Sequence, residues 1–267
     1  MISANVIAHS LSPDGVPIIT IEYSAPRFIL AEFNTHRVFS RNAGSSRAIP
    51  TTKIIERVVE SPVIPIWNRN KPGMQGVFDV SDNEIAQWEA IWLEARDDVV
   101  RHATRLNEAK CHKQIVNRIL EPFMYYKGVV TSTDWANWFA LRDHEAAQPE
   151  IAMLARAFRE AIDASTPIQL ENGQWHMPFV FGEEKKLLIS TQLEVSVARC
   201  ARISYRTFDD DKVSTVEKDT QLFSDLFAEK HLSPFEHQAL PDDDYAYPHE
   251  HGNFNGWRQY RKQIENN

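Results

Sequence analysis

Cysteine is almost missing from this chain: two of 267 residues, Cys111 and Cys200. Neither stands in a Cys-x-x-Cys pair, which excludes a disulfide scaffold and argues against a thiolate zinc site. Both are expected to be free, buried thiols in a reducing compartment. No stretch reaches the roughly 18 apolar residues of a membrane-spanning helix. The first residues, MISANVIAHSLSPDG, hold no basic region and no long apolar run, so no secretory signal is expected and the cytoplasm is the expected location. Positive charge is the minority: 29 Lys and Arg against 37 Asp and Glu, a net charge of −8. That balance argues against a protein that coats DNA or a membrane surface. Repeats and low-complexity segments are absent too. What remains, 43% hydrophobic and 25% charged residues, is the composition of an ordinary globular protein.

Residues 2–23 read as strand, turn and strand, with Ser12-Pro13-Asp14-Gly15 as the turn. Pro26 opens a short helix that sets Ile29 and Phe33, and likewise Glu32 and His36, four residues apart on one face. Residues 40–47 read as a polar loop and 61–76 as a long irregular connection. A helical stripe of Ile85, Trp88, Trp92, Ala95, Val99 and Leu106 predicts a helix over 82–109. Further helices are predicted at 112–121, 134–142, 149–164, 190–203 and 215–230, the last with Ser214 and Glu217 in capping-box spacing. Residues 172–181 read as a turn and a short strand. The aspartate runs at 209–211 and 242–244 read as solvated loops. The class is α+β.

Four groups of residues can carry chemistry. The run from His36 to Arg47 contains Arg37, Arg41 and Arg47, the hydroxyls of Ser40, Ser45 and Ser46, and no acid. Arginine forks with hydroxyls suit a phosphate, though a basic surface loop has the same composition. Arg118 and Arg142 each lie among apolar residues, so each is expected either to pair with Glu121 or Asp143 or to face an anionic ligand. His231-Leu232-Ser233-Pro234-Phe235-Glu236-His237 gathers histidine, hydroxyl and carboxylate without the spacing of a triad or of a metal site, and His249-Glu250-His251 likewise lacks ligand spacing. Asn253 to Lys262 interleaves aromatics with cations, which fits stacking on a base or a terminal helix packed on the body.

Taken together, the first three groups resemble the flavin-dependent thymidylate synthases, whose hallmark is RHRxxSxNExSxR. Residues 35–47 read THRVFSRNAGSSR, so His36, Arg37, Ser40, Asn42, Ser45 and Arg47 match in register, while Thr35 and Ala43 depart from the family's Arg and Glu. Downstream, Arg118 with Pro122, then Asn137, Leu141-Arg142 and Ala147-Gln148-Pro149-Glu150-Ile151, resemble its N…LR…AQxEI signature. The blocks that normally come first, here Ala198 to Tyr205 and His231 to His237, come last. The chain therefore resembles a circularly permuted, phage-type member, an arrangement tolerated where termini lie close at the surface.

The resemblance implies an α+β fold of helices on a small antiparallel sheet and a single domain over 1–267. Residues 1–181 would carry the RHR-type and AQxEI-type motifs, and 182–267 the SPFEH motif and the tail. It implies a homotetramer with sites between subunits and FAD as cofactor. NADPH and 5,10-methylenetetrahydrofolate would be co-substrates for methylation of dUMP at C5 to dTMP. Arg142 is implied as the catalytic electrostatic group. Nucleotide contacts are implied for Glu32 (where the family has Gln), Thr35, Ala43, Gly44, Ser45, Ser46, Arg47, Arg118 and Arg142. Flavin contacts are implied for Thr35, His36, Arg37, Thr131, Ser132, Thr133, Asn137, His231 and Ser233. No metal is implied. Two other readings keep the scaffold: an enzyme for another pyrimidine nucleotide, by methylation or hydroxymethylation, and a non-catalytic nucleotide binder.

Overall fold

The computed structural model describes residues 1–204 and 214–265. Tyr205 and the aspartate run 209–211 lie outside the described residues. In chain order the elements begin with β1 (Ser3–Leu11), β2 (Pro17–Pro26), α1 (Leu30–Phe33), β3 (Ser40–Ala43), α2 (Thr51–Glu60) and α3 (Asp82–Glu108). Next come α4 (Lys113–Val116), β4 (Tyr125–Ser132), α5 (Ala136–Arg142), α6 (Pro149–Asp163), β5 (Ile168–Gln169), α7 (Ile189–Arg202) and α8 (Val216–Ala228). The chain closes with β6 (Ala239–Pro241), β7 (Trp257–Gln259) and α9 (Tyr260–Glu265).

A five-stranded sheet in the order β3-β4-β2-β1-β5 forms the centre. Its first four strands are antiparallel and β5 joins β1 in parallel, so the sheet is mixed rather than purely antiparallel. The predicted turn at 12–15 stands, with Ser12 Oγ accepting from Val16 N at 3.0 Å. β4, to which the sequence reading assigned no element, pairs with both β2 and β3. Gly128 lets this happen: it lies opposite Tyr23, and a Cβ there would fall 2.5 Å from the tyrosine ring.

Side-chain alternation splits the strands between two layers. Ile19, Ile21, Tyr23, Tyr126 and Val130 pack with Phe33 of α1, Trp138 of α5, and Leu154 and Phe158 of α6 in a largely aromatic core. Val129 faces the other way, onto Cys200 and Ile203 at the end of α7. Ile18 meets Trp257 and Phe254 of the C-terminal segment. A separate cluster joins α2, α3 and the 113–124 segment through Ile54, Val58, Ala103 and Leu120. α3 carries the predicted stripe and is capped reciprocally by Ser81 and Glu84, but only Ala103 on it is fully buried.

Several expectations change. Ser40–Ala43 is an edge strand, because β4 offers it a free edge; Gly44 and Ser45 are loop, and Ser46–Ala48 is a 3-10 turn. Residues 172–181 make no strand, only the bridge of His176 to Ala239. Residues 112–121 form one turn of α4 and then a 3-10 stretch over Asn117–Phe123, with Pro122 inside it. Ser214 does not cap α8; its hydroxyl donates to Asp219 at 2.6 Å. Asp242 is buried, not solvated, and accepts from His251 Nε2 at 2.6 Å. The 253–262 segment becomes β7 and the start of α9, packed on the body. Both cysteines are free; Cys200 is buried and Cys111 half-buried. Among the described residues, no helix is long and apolar enough to cross a membrane.

Candidate active site

The loop after β3 is held from beneath. Gly44 N donates to Lys127 O at 2.7 Å, and Arg27 Nη1 donates to Gly44 O at 2.8 Å. A Cβ on Gly44 would press to 3.3 Å from that same Lys127 carbonyl, so glycine keeps the backbone contact short. Asn117, fully buried, donates to the carbonyls of Ser46 (2.7 Å) and Ile49 (3.0 Å) and accepts from Thr51 Oγ1 (2.7 Å). Glu121 accepts from Ser46 Oγ (2.6 Å) and Arg118 Nη1 (2.9 Å), with Arg27 at 3.7 Å. Arg118 therefore makes the ion pair with Glu121, but from the surface, because Ile115 and Ile119 beside it are exposed. Ser45 and Ala43 are half-buried at the rim. Arg47 and Arg37 are exposed, and neither has an acidic partner among the described residues. Neither Asn117 nor Lys127 was flagged by the sequence reading, since one buried amide or one strand carbonyl leaves no local pattern.

Arg142, at the end of α5, does not pair with Asp143, which instead takes Arg156 and Arg159. Its Nε donates to His36 Nε2 at 2.9 Å, and its Nη2 to Thr35 Oγ1 at 3.3 Å. Thr35 Oγ1 in turn donates to the Glu32 carbonyl at 2.6 Å. The His36 ring lies edge-on to Trp138 at 4.8 Å and stacks near Phe39. Burial, with the charges of Arg142 and Arg41 behind it, holds the imidazole down to about 4. At neutral pH it is therefore uncharged, its Nε2 accepts, and the proton sits on Nδ1. Thus the Glu32 backbone carbonyl, Thr35, Arg142 and His36 form one chain of hydrogen bonds. Asn137, one turn earlier on α5, is exposed.

The two distant motifs meet at Asn42. With its amide turned to satisfy every neighbour, Asn42 donates to His237 Nε2 (2.9 Å), Ser233 O (3.1 Å) and Arg41 O (3.2 Å), and accepts from Ser233 Oγ (3.2 Å). Asn42 and Ser233 are 191 positions apart in sequence. Behind them runs a buried chain of hydrogen bonds. His237 Nδ1 reaches Thr131 Oγ1 (2.8 Å), Thr131 reaches Thr20 (2.7 Å), Thr20 reaches His176 Nε2 (2.8 Å), and His176 Nδ1 reaches Ser10 Oγ (2.9 Å). Each neutral imidazole has one donor and one acceptor nitrogen, so the Asn42 amide fixes the direction of the chain: both histidines carry their proton on Nδ1.

Burial drives both His176 and His237 down to about 3. Their unfolded forms bind protons at higher pH than the folded forms, so stability is full above about pH 6.5 and is lost as pH falls toward 3. Urea unfolding should show a midpoint that is flat from pH 8 to 7. It should then drop as pH goes to 4.5, by about 2 to 3 kcal/mol for each of these histidines. A midpoint independent of pH over that range contradicts the buried neutral chain.

Thr131 and Ser132 are fully buried with their hydroxyls spent inside the protein, Ser132 on Val38 O and Thr131 on the chain above. Thr133 Oγ1 accepts from Asn255 N at 2.9 Å. Of these three, Thr131 backs the Asn42 junction through His237. His231 is exposed and lies 3.5 Å from Glu229. A small cavity of ≈ 20 Å³ is lined by Arg27, Gly44, Ser45 and Ser46, and larger ones lie away from the loop: one of ≈ 240 Å³ beside α2 and Tyr125, another of ≈ 350 Å³ beneath Trp67 and Trp92.

The arginine-rich loop and the Arg142–His36 pair thus lie on an α+β fold built around a mixed sheet. The family model for thymidylate synthase complementing protein (Thy1) matches residues 7–168, and the chain belongs to that family. Among solved structures it is similar to the UMP/dUMP methylase PolB from Streptomyces cacaoi bound with 5-Br UMP. That match has 18% identity and a TM-score of 0.50, and covers 61% of this chain and 88% of the other. A second structure of PolB, bound with 5-Br dUMP, aligns with a TM-score of 0.48 at 18% identity over 61% of this chain and 90% of that one. No match was found among curated proteins.

Proposed function

We propose that this chain is a flavin-dependent enzyme that methylates a pyrimidine nucleotide at C5, with 5,10-methylenetetrahydrofolate as carbon donor and NADPH as reductant. The observation that carries the reading is the Asn42–Ser233–His237 junction, where the loop motif and the SPFEH motif touch. The residues present suit a phosphate-bearing cofactor: Arg37 and Arg47 are exposed cations with no acidic partner among the described residues. His36, Arg37, Asn137 and Ser233 would hold FAD, with Thr35 and His231 beside it and Thr131, Ser132 and Thr133 as the backing layer. Reduced flavin supplies the hydride. Ala43, Gly44, Ser45, Ser46, Arg47 and Arg118 would hold the nucleotide, and Arg142 would stabilise charge that develops on its base. The site assembles between subunits of a homotetramer in this reading, in a single cytoplasmic domain of phage type. The late position of residues 189–237 reflects circular permutation.

Family resemblance makes dUMP the substrate and dTMP the product. Incubation with FAD, NADPH and methylenetetrahydrofolate, followed by mass spectrometry of dUMP, dCMP and UMP, tests the activity. A gain of one methylene in one nucleotide supports it. Nucleotide binding with unchanged masses and no NADPH oxidation returns the non-catalytic reading.

A further inference from the structure

The cavity of ≈ 350 Å³ beneath Trp67 and Trp92 stands apart from the residues proposed for flavin and nucleotide. Its volume falls in the range of small-molecule sites, about 300 to 1,000 Å³. The Trp67 and Trp92 rings lie 6.2 Å apart at 81° to each other, an edge-to-face corner against which a third flat ring can pack. Phe28 adds a further aromatic side chain to the lining. Glu150 lines the same cavity and is 4% exposed. Its Oε1 accepts from Ile66 N at 2.7 Å and its Oε2 from Gln148 Nε2 at 3.2 Å. Both donors belong to residues of the same lining, so the carboxylate lies in the cavity wall. Neither donor is a cation, and no ion pair reaches Glu150 among the described residues. A second cavity of ≈ 310 Å³ shares Asn68, Gln148 and Pro149 with the first. Among the described residues, no lysine or arginine lines either one.

A buried carboxylate is costly without a cation, and buried charges are as a rule paired. A carboxylate has about four lone-pair sites on its two oxygens. Glu150 uses one on each oxygen, so each keeps a site for a further donor. Two adjacent N–H donors in a plane fill such a pair, as arginine does on a carboxylate. A planar amidinium or guanidinium brings that fork, balances the charge and stacks on an indole face. An ammonium brings the charge without the fork. An anion meets no positive side chain here, and an uncharged ring leaves the carboxylate uncompensated.

We propose that this cavity binds a small planar cation of amidinium or guanidinium type on a flat apolar body. Glu150 takes the forked donors, and the Trp67–Trp92 corner takes the ring. The site is independent of the flavin and nucleotide reading, so its test uses neither. Benzamidine is the probe, titrated into the full chain and followed by tryptophan fluorescence and by NMR of the indole N–H signals. The wild type is expected to bind benzamidine, to bind benzylamine severalfold more weakly, and not to bind benzoate. Glu150→Gln keeps an acceptor for Ile66 N but loses the charge, and should weaken benzamidine roughly tenfold or more. Trp67→Leu keeps the carboxylate and removes the corner, and should weaken benzamidine too. No benzamidine binding by the wild type, binding that E150Q leaves unchanged, or equal affinity for benzamidine and benzylamine overturns the proposal. Should E150Q fail to fold by circular dichroism, the wild-type indole signals decide. Benzamidine is expected to shift those of Trp67 and Trp92, identified through W67L and Trp92→Phe, and a shift confined to other tryptophans overturns the site.

Discussion

Replacement of Arg142 by alanine is expected to lower turnover by about two to three orders of magnitude, the usual loss when one preorganised charge-stabilising donor is removed. The variant should fold, because Arg142 is half-exposed at the end of α5 and, among the described residues, hydrogen-bonds only to Thr35 and His36. A second readout separates its electrostatic role from packing. Burial holds His36 down to about 4 and the charges of Arg142 and Arg41 add to it, so removal of Arg142 should move the His36 titration upward. Arg142→Lys keeps the charge but loses the Nε contact, and should recover the low titration better than the turnover. Histidine NMR across pH 3–8 with single-turnover kinetics reads both. Unchanged turnover in R142A contradicts the placing of the site.

Arg199→Ala should be the most destabilising single change in the protein, at about 3 to 5 kcal/mol. Arg199 is 1% exposed and Asp219 is 0% exposed. The guanidinium donates twice to Glu184, at 2.5 and 2.7 Å, once to Asp219 at 2.9 Å, and to the Phe179 carbonyl at 2.7 Å. Its loss leaves the buried Asp219 carboxylate with the Ser214 hydroxyl and Arg202 as its one remaining cation among the described residues. Because the cost is mostly that stranded charge, adding Asp219→Ala should cost less than the sum of the two single changes, with a coupling of about 1 to 3 kcal/mol. Urea denaturation of the two single variants and the double variant measures it. Simple additivity contradicts the account of this network.

The sequence makes side-chain chemistry legible and tertiary partnership much less so. The motif around His36 to Arg47, Arg142 and the SPFEH block stand out because arginine, histidine and hydroxyl clusters are uncommon in an acidic chain. The helices α3 and α6 show because each has an apolar stripe. β4 was missed because most of it is buried, so Tyr125 to Ser132 lacks an alternating pattern. Ser40-Arg41-Asn42-Ala43 has a loop's composition, and it is the edge of β4 that makes it a strand. The aspect least visible was the buried polar chain. Ser10, Thr20, Thr131, His176 and His237 come from four separate stretches, and only the folded sheet brings them within hydrogen-bond reach. Asp242 was misread for the same reason: its partner His251 is supplied by the packing of the C-terminal segment.

The central claim is that the loop motif, Arg142 and the SPFEH motif form one site for a flavin and a pyrimidine nucleotide. The most direct measurement is the visible spectrum of the protein after FAD is added and excess is removed by desalting, before and after addition of dCMP or dUMP. The account predicts an isoalloxazine band that stays with the protein and shifts when nucleotide is added, because both ligands share one site. A protein that retains no flavin under any condition, or whose bound flavin ignores both nucleotides, contradicts it.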